Sequence, residues 1–385
     1  MDSNIDRFDD LRPVNDDEVK GVIQELLSDP WFKQAIGYIN PGMSWEEFHA
    51  VMSSFKTKND FQTYIIAPVV AGMANNSSKG FTGSGWDNFD PNKPYTFISN
   101  HRDIILDAGL MNVMRNQMGL NTTEIAIGDN LFVYPWIEKL VRLNKSFIVR
   151  RGVSVRQMLE VSKHLSEYIH YTITEKKDSV WIAQREGRAK DSDDRTQHSL
   201  LKMLALAPEK MPVVSSLREL NIVPLSISYE YDPCDYLKAQ EFQLKRDHPD
   251  YQKTKADDLK NMETGLLGFK GYIHFRFGKP INQFLDKYCT DCDKQEALST
   301  IAALIDKEIH SNYEIFPVNY IAYDLLNGTE TFKDKYTLDE KEKFIQYVDG
   351  QIALIKIENK DYAFLKHKIM EMYSNILKNY LEAKA

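Results

Sequence analysis

Four short segments carry residue types that could do chemistry. The first runs Ser99-Asn100-His101-Arg102-Asp103 and continues through Ile104, Ile105 and Leu106 to Asp107. An imidazole oriented by a carboxylate can take a proton from a hydroxyl. The same residues also read as a solvated histidine at a helix start. The second segment, Phe147-Ile148-Val149-Arg150-Arg151-Gly152, releases two arginines together, with Arg142, Lys145 and Arg156 nearby. Arginine forks match phosphate oxygens, although a solvated basic edge has the same composition. In the third, Glu186-Gly187-Arg188-Ala189-Lys190, a carboxylate can hold a hydroxyl or brace an arginine, and the cations can hold a phosphate. A polar turn with a surface ion pair looks the same. The fourth, Ile222 to Glu230, enters through Val223-Pro224 and reads by itself only as a core strand. His101-Arg102-Asp103 is not a protein-kinase catalytic loop. That pattern requires asparagine five residues after the aspartate, where this chain has Ala108.

Each segment lies on or just after a run that reads as a β-strand. Candidate strands are Tyr95–Ser99, Glu124–Ile127, Ser146–Val149, Ser179–Ala183, Ile222–Tyr229 and Tyr272–Phe277. Helical patterns such as Leu131–Leu143 and Val155–Tyr171 lie between them. This alternation predicts an α/β domain with a mixed sheet flanked by helices, and chemistry at the strand ends. Residues 1–80 read as a helical N-terminal region, 81–290 as the α/β domain and 291–385 as a helical C-terminal region. In the first, Asp16 is expected to cap a helix carrying Val19, Val22, Ile23 and Leu26, and Ser44 with Glu47 forms a capping box. Asn75–Pro94, rich in Gly, Ser, Asn and Pro, reads as a loop. Lys238–Lys260 reads as a charged insertion. Leu365, Ile369, Met372, Ile376 and Tyr380 keep a helical spacing that should pack on the parent domain.

Composition narrows the class of partner. The 385 residues are 43% hydrophobic and 27% charged, as in folded proteins, with net charge −8. Nucleic acid needs a concentrated basic surface, so it is not the expected partner. A single Cys289-x-x-Cys292 pair, without a second pair or added histidines, does not make a zinc site, and no metal is expected. Free thiols and an acidic start from Met1 to Asp10 point to a cytoplasmic protein without a signal or transit peptide. The longest apolar stretch, Tyr64–Ala74, is too short to span a bilayer, so work on lipid would proceed from the membrane surface.

Taken in order, the four segments resemble the glycerolipid acyltransferase family, which includes glycerol-3-phosphate and 1-acylglycerol-3-phosphate (lysophosphatidic acid) acyltransferases. The family's Asn-His-x4-Asp block is matched by Asn100, His101 and a following aspartate. Phe-Ile-x-Arg is matched by Phe147, Ile148 and Arg150, and Glu-Gly-x-Arg is approximated by Glu186, Gly187 and Arg188. Val223 and Pro224 match the fourth block, and Phe277-Gly278-Lys279-Pro280-Ile281 resembles the Phe-Gly-x-Pro-Ile end of a later strand. The match covers about residues 90–285. Two departures mark a divergent member. Leu106 stands where the family's aspartate falls, leaving Asp107 one residue late and Asp103 three early. Arg188 directly follows Gly187, so Lys190 could share its contact.

The resemblance implies direct transfer of a fatty acyl group from acyl-CoA or acyl-carrier protein to a hydroxyl of a glycerol-phosphate acceptor, without a cofactor. It implies His101 as general base, Asp107 or Asp103 as its partner, and Arg150, Arg151, Glu186, Gly187, Arg188 and Lys190 as acceptor-binding residues. It also implies a peripheral association with the inner face of the cytoplasmic membrane. Ile104, Ile105, Leu110, Met111 and Met114, with Leu131, Phe132, Tyr134 and Trp136, could wall an acyl chain or simply be core. A different lipid acceptor, or a non-catalytic lipid-binding role, are the competing expectations.

Overall fold

The computed structural model describes residues 7–39, 42–289 and 292–385. Five helices come first: α1 (Val19–Leu27), α2 (Pro30–Ile39), α3 (Trp45–Ser54), α4 (Lys58–Phe61) and α5 (Ala67–Ser77). A π-helical turn, Gln62–Ile66, joins the last two. The α/β part follows as β1 (Gly80–Ser84), β2 (Thr96–Ser99), α6 (Leu106–Gln117), β3 (Glu124–Gly128), α7 (Pro135–Leu143), β4 (Ser146–Val149) and α8 (Val155–Thr174). It continues through β5 (Val180–Ala183), α9 (His198–Leu204), α10 (Val213–Glu219), β6 (Ile222–Tyr229), α11 (Asp235–Asp247), α12 (Lys255–Leu267) and β7 (Tyr272–Phe277). The remaining helices are α13 (Asn282–Tyr288), α14 (Lys294–Ser311), α15 (Pro317–Asn327), α16 (Leu338–Leu354) and α17 (Tyr362–Lys384).

The seven strands form one sheet in the order β1-β7-β6-β2-β5-β3-β4. The five from β6 to β4 are parallel, so their carboxyl ends share one edge. β7 runs antiparallel to β6 and parallel to β1, which makes the sheet mixed. Side chains alternate across the strands and feed two cores. Ile98, Val180, Ile182 and Ile222 pack under α8, α9, α10 and α14. Phe97, Trp181, Val223 and Phe275 pack against α5 and α6 on the other face. β6 is buried along its whole length, as a central strand covered on both faces must be.

The predicted strands are present within a residue or so, but Asn75–Pro94 is not simply a loop. It contains β1, an edge strand whose Thr82 and Ser84 hydroxyls each meet a ring nitrogen of His274 on β7 at 2.8 Å. The capping box at Ser44 and Glu47 forms. Asp16 does not cap α1. Its carboxylate instead accepts from the backbone N–H of Lys58 (3.1 Å) and from Lys58 Nζ (2.8 Å), holding α4. The charged insertion is the helix pair α11 and α12. The predicted C-terminal stripe is the buried side of α17, which packs against α11, α14 and α15.

The C-terminal helices meet the sheet domain at a buried acid. The Asp235 carboxylate accepts from Tyr347 Oη and Tyr373 Oη, each at 2.8 Å, and from Gln351 Nε2 at 2.7 Å. Burial, followed by the charge of Asp232, pushes its pKa up to about 7. The unfolded value is near 4, so between roughly pH 4 and 7 the folded chain binds the extra proton. This contribution to stability is full below about pH 4 and is lost as pH rises through 7. Asp235→Asn should therefore melt higher than the parent at pH 8, by on the order of 1–2 kcal/mol, and no higher at pH 4. Thermal unfolding at the two pH values checks it. An equal shift at both would contradict it.

Candidate active site

His101 leaves the carboxyl end of β2, the middle strand of the seven-stranded sheet. Asn100 fixes its approach. The buried Asn100 amide donates to the Ile227 carbonyl and accepts from the Ile227 N–H, both at 2.8 Å, stitching the turn to β6. His101 Nδ1 lies 2.8 Å from Asp107 Oδ2, and the ring meets Trp181 edge-on at 5.9 Å. The same carboxylate oxygen accepts from the Arg102 N–H at 2.6 Å, and Tyr229 Oη donates to the other oxygen at 3.2 Å. Asp107 is fully buried, whereas part of the His101 side chain reaches solvent. A carboxylate can only accept here, so Nδ1 carries the proton and Nε2 offers a lone pair.

Asp103 has a different place. Its Oδ1 accepts from the N–H groups of Ile105 (2.9 Å) and Leu106 (2.8 Å), closing a turn and capping the start of α6. This turn absorbs the extra residue that separates His101 from its aspartate. Burial first, then the charge of Asp107, raises the Asp103 pKa. The structure thus pairs His101 with Asp107 and gives Asp103 to the helix.

Arg102 points away from the histidine into the fold. Its guanidinium pairs with Asp194 at 2.7 Å and sits 5.8 Å from the centre of the Tyr313 ring. Tyr313 Oη donates to Asp194 at 3.1 Å, and the Asp194 carbonyl lies 2.7 Å from His310 Nε2. Both charges are buried. Nothing local in the sequence marks Asp194 or Tyr313 for this site. Tyr229 closes the Ile222–Tyr229 strand, and it is marked in the sequence by that position rather than by its bond to Asp107.

The phosphate candidates separate into two groups. Arg150 and Arg151 leave β4 at the same sheet edge as His101. Arg151 N donates to Asp129 Oδ1 at 2.9 Å, Arg150 Nη1 lies 3.9 Å from Asp129 Oδ2, and the Arg151 guanidinium pairs with Glu186. Glu186 follows β5, the strand beside β2, so this pair leans toward the histidine. β2 and β4 themselves are three strand spacings apart, about 14 Å. Gly187 turns the chain with φ +67°, a conformation glycine adopts without strain. Arg188 and Lys190 do not join this group. Arg188 is largely buried under α12, with Nη1 3.4 Å from Cys234 Sγ and Nη2 3.3 Å from Asn261 Oδ1. Burial works against its charge, but Cys234, Asp232 and Asp103 outweigh that and raise its pKa. Lys190 pairs with Glu241, a carboxylate that also serves Lys245 (2.9 Å) and Lys253 (3.3 Å). Arg142 and Lys145 lie toward the other end of β4. Arg142 holds the Arg12 and Asp10 carbonyls (2.7 Å each), and Lys145 pairs with Asp178 at 2.7 Å.

Of the proposed acyl-chain walls, Leu110, Met111 and Met114 are buried in the core beneath the sheet, while Ile105 and Tyr134 are exposed. Cys289 and Cys292 are free thiols. Among the described residues no group of three or more His, Cys, Asp or Glu could hold a metal ion, and no helix is long and apolar enough to cross a membrane.

Comparison with known proteins bears on this edge of the sheet. Residues 81–228, which carry all four segments apart from the last residues of the fourth, match the family model described as Acyltransferase. Among solved structures, the 1-acyl-sn-glycerophosphate (LPA) acyltransferase PlsC from Thermotoga maritima is similar at 10% identity over 74% of this chain and 92% of that chain, with a TM-score of 0.37. A likeness that loose carries no weight for the site. No curated protein sequence matches.

Proposed function

We propose that this chain, which carries an acyltransferase-family domain at residues 81–228, moves a fatty acyl group from a thioester donor to a hydroxyl of a glycerol-phosphate acceptor. The observation that carries the reading is the His101–Asp107 pair, held by the Arg102 N–H and Tyr229 Oη at the carboxyl edge of the sheet. His101 Nε2 takes the proton of the acceptor hydroxyl as its oxygen attacks the thioester carbonyl. The carbon–oxygen bond forms, the carbon–sulfur bond breaks, and the proton passes to the departing thiolate. The products are an ester and a free thiol. Asp107 holds the tautomer and stabilises the imidazolium between the two steps. Phospholipid synthesis is the setting such products suit. The donor is acyl-CoA or acyl-carrier protein. The protein works as a peripheral protein at the inner face of the cytoplasmic membrane, and the reaction calls on no cofactor.

Arg150 and Arg151 are assigned to the acceptor phosphate. Arg151 is engaged by Glu186, so the phosphate would exchange with that carboxylate, freeing Glu186 for an acceptor hydroxyl. Arg188 and Lys190 then act from within the fold, bracing the turn against α12 and α11 rather than touching the acceptor. Release of free thiol from palmitoyl-CoA and from acyl-carrier protein tests the reading, with glycerol-3-phosphate and lysophosphatidic acid offered in turn. Acceptor-dependent release supports it. Arg151→Ala should raise KM for the phosphate-bearing acceptor about 10–100-fold, the worth of one charge-assisted contact. An unchanged KM would remove Arg151 from the acceptor site. Release that ignores both acceptors but answers a lipid without phosphate would move the reading to that acceptor.

A further inference from the structure

The N-terminal end of the helix that follows Arg150 and Arg151 stands clear of the protein. In α8, a rod about 30 Å long, every residue from Ser154 to Glu160 is exposed, and burial begins only at Leu165. A helix end that packs on nothing is expected to be polar all round. This one is not. Val155, Met158 and Leu159 are 86%, 51% and 66% exposed. Their i, i+3, i+4 spacing puts them on one stripe about 100° wide. Arg156 borders the stripe and has no ion-pair partner among the described residues, while the same spacing places Glu160 farther round, away from it.

A second apolar element stands at the same edge. Asp129 ties the loop after β3 to the loop after β4 through Arg150 and Arg151. That loop continues into exposed Val133 and Tyr134, and Tyr134 stacks on exposed Trp31 of α2 at 6.1 Å. Scattered exposed apolar residues need no explanation, but an apolar stripe, a stacked Trp–Tyr pair and the unpaired Arg156 on one edge do.

We propose that this edge, led by the free end of α8, docks on an anionic phospholipid bilayer. The inference deepens the proposed function, since a membrane-borne acceptor would meet Arg150 and Arg151 directly behind the docking face. Shape and chemistry both favour lipid. The apolar side chains stand on a convex rod, which a bilayer accepts without a preformed groove. Amphipathic Trp and Tyr rings suit the headgroup layer, and arginines there meet lipid phosphates.

The test is co-sedimentation of the full chain with vesicles of equal parts phosphatidylcholine and phosphatidylglycerol. The comparison is the triple variant Val155→Ser, Met158→Ser, Leu159→Ser. The parent should bind, and the variant should bind about 30-fold more weakly or worse, by the apolar area withdrawn from the lipid. The variant's thermal melt should be little changed, because these side chains are all more than half exposed. Its thiol release with glycerol-3-phosphate and a dissolved short-chain thioester should match the parent, and only vesicle-borne acceptor should be used more slowly. Failure of the parent to bind, or equal binding by the variant, overturns the docking face. A concentration-dependent dimer lost in the variant, with vesicle binding intact, would assign the stripe to a second copy and overturn it too. If neither protein transfers acyl groups but vesicle binding still depends on the stripe, the docking face stands and the enzymatic reading falls.

Discussion

Asp107→Asn is expected to lower kcat by about 10²–10⁴-fold, while Asp103→Asn leaves it within a few-fold of the parent. The two substitutions are chemically identical and four residues apart, so their contrast isolates position. At 107 the amide oxygen can take the place of Oδ2 and keep the bonds from His101 Nδ1 and the Arg102 N–H. Its nitrogen then faces Tyr229 Oη, which can accept. Geometry survives and the negative charge does not, so the imidazolium formed during transfer loses its counter-charge. At 103 the carboxylate accepts, among the described residues, from two backbone N–H groups, which an amide oxygen also satisfies. Steady-state kinetics on both variants decides between them. A large loss at 103 with little at 107 would reverse the assignment.

Asp194→Ala is expected to destabilise the fold by about 3–5 kcal/mol, because it strands a buried guanidinium. Arg102 and Asp194 are both buried, and Tyr313 and His310 close around the pair. Removing the acid leaves Arg102 facing the Tyr313 ring without its paired anion. The backbone of Arg102 is also a donor to Asp107, so a shift at residue 102 reaches the histidine. Chemical denaturation measures the loss. A midpoint unchanged within error would mean that water reaches Arg102 and replaces the acid. Arg102→Met with Asp194→Leu, which removes both charges, should recover much of the stability, since it leaves no unpaired charge behind.

What the sequence reveals depends on whether a feature is local. Strands β2 to β7 are legible because β-branched and aromatic runs are bounded by turn residues. β1 is not, since Gly80-Phe81-Thr82-Gly83-Ser84 has the composition of a loop and becomes a strand only by pairing with β7. The histidine and its candidate acids are visible as a cluster, but spacing alone leaves Asp103 and Asp107 open. The choice falls to Tyr229, a strand end 122 residues away. Arg102–Asp194 is equally non-local. Arg188 and Lys190 carry the right charge beside the right glycine. Their partners Asn261 and Glu241 lie on α12 and α11, whose docking no local pattern announces. Asp16 shows the converse error, where a good cap residue is claimed by a distant lysine.

The central claim is that His101 is the base for acyl transfer, and thiol release by His101→Ala tests it most directly. With whichever donor and acceptor the parent uses, the variant should lose about 10²–10⁴-fold in kcat while its thermal melt stays close to that of the parent. Release at the parental rate from a folded His101→Ala protein would contradict the account.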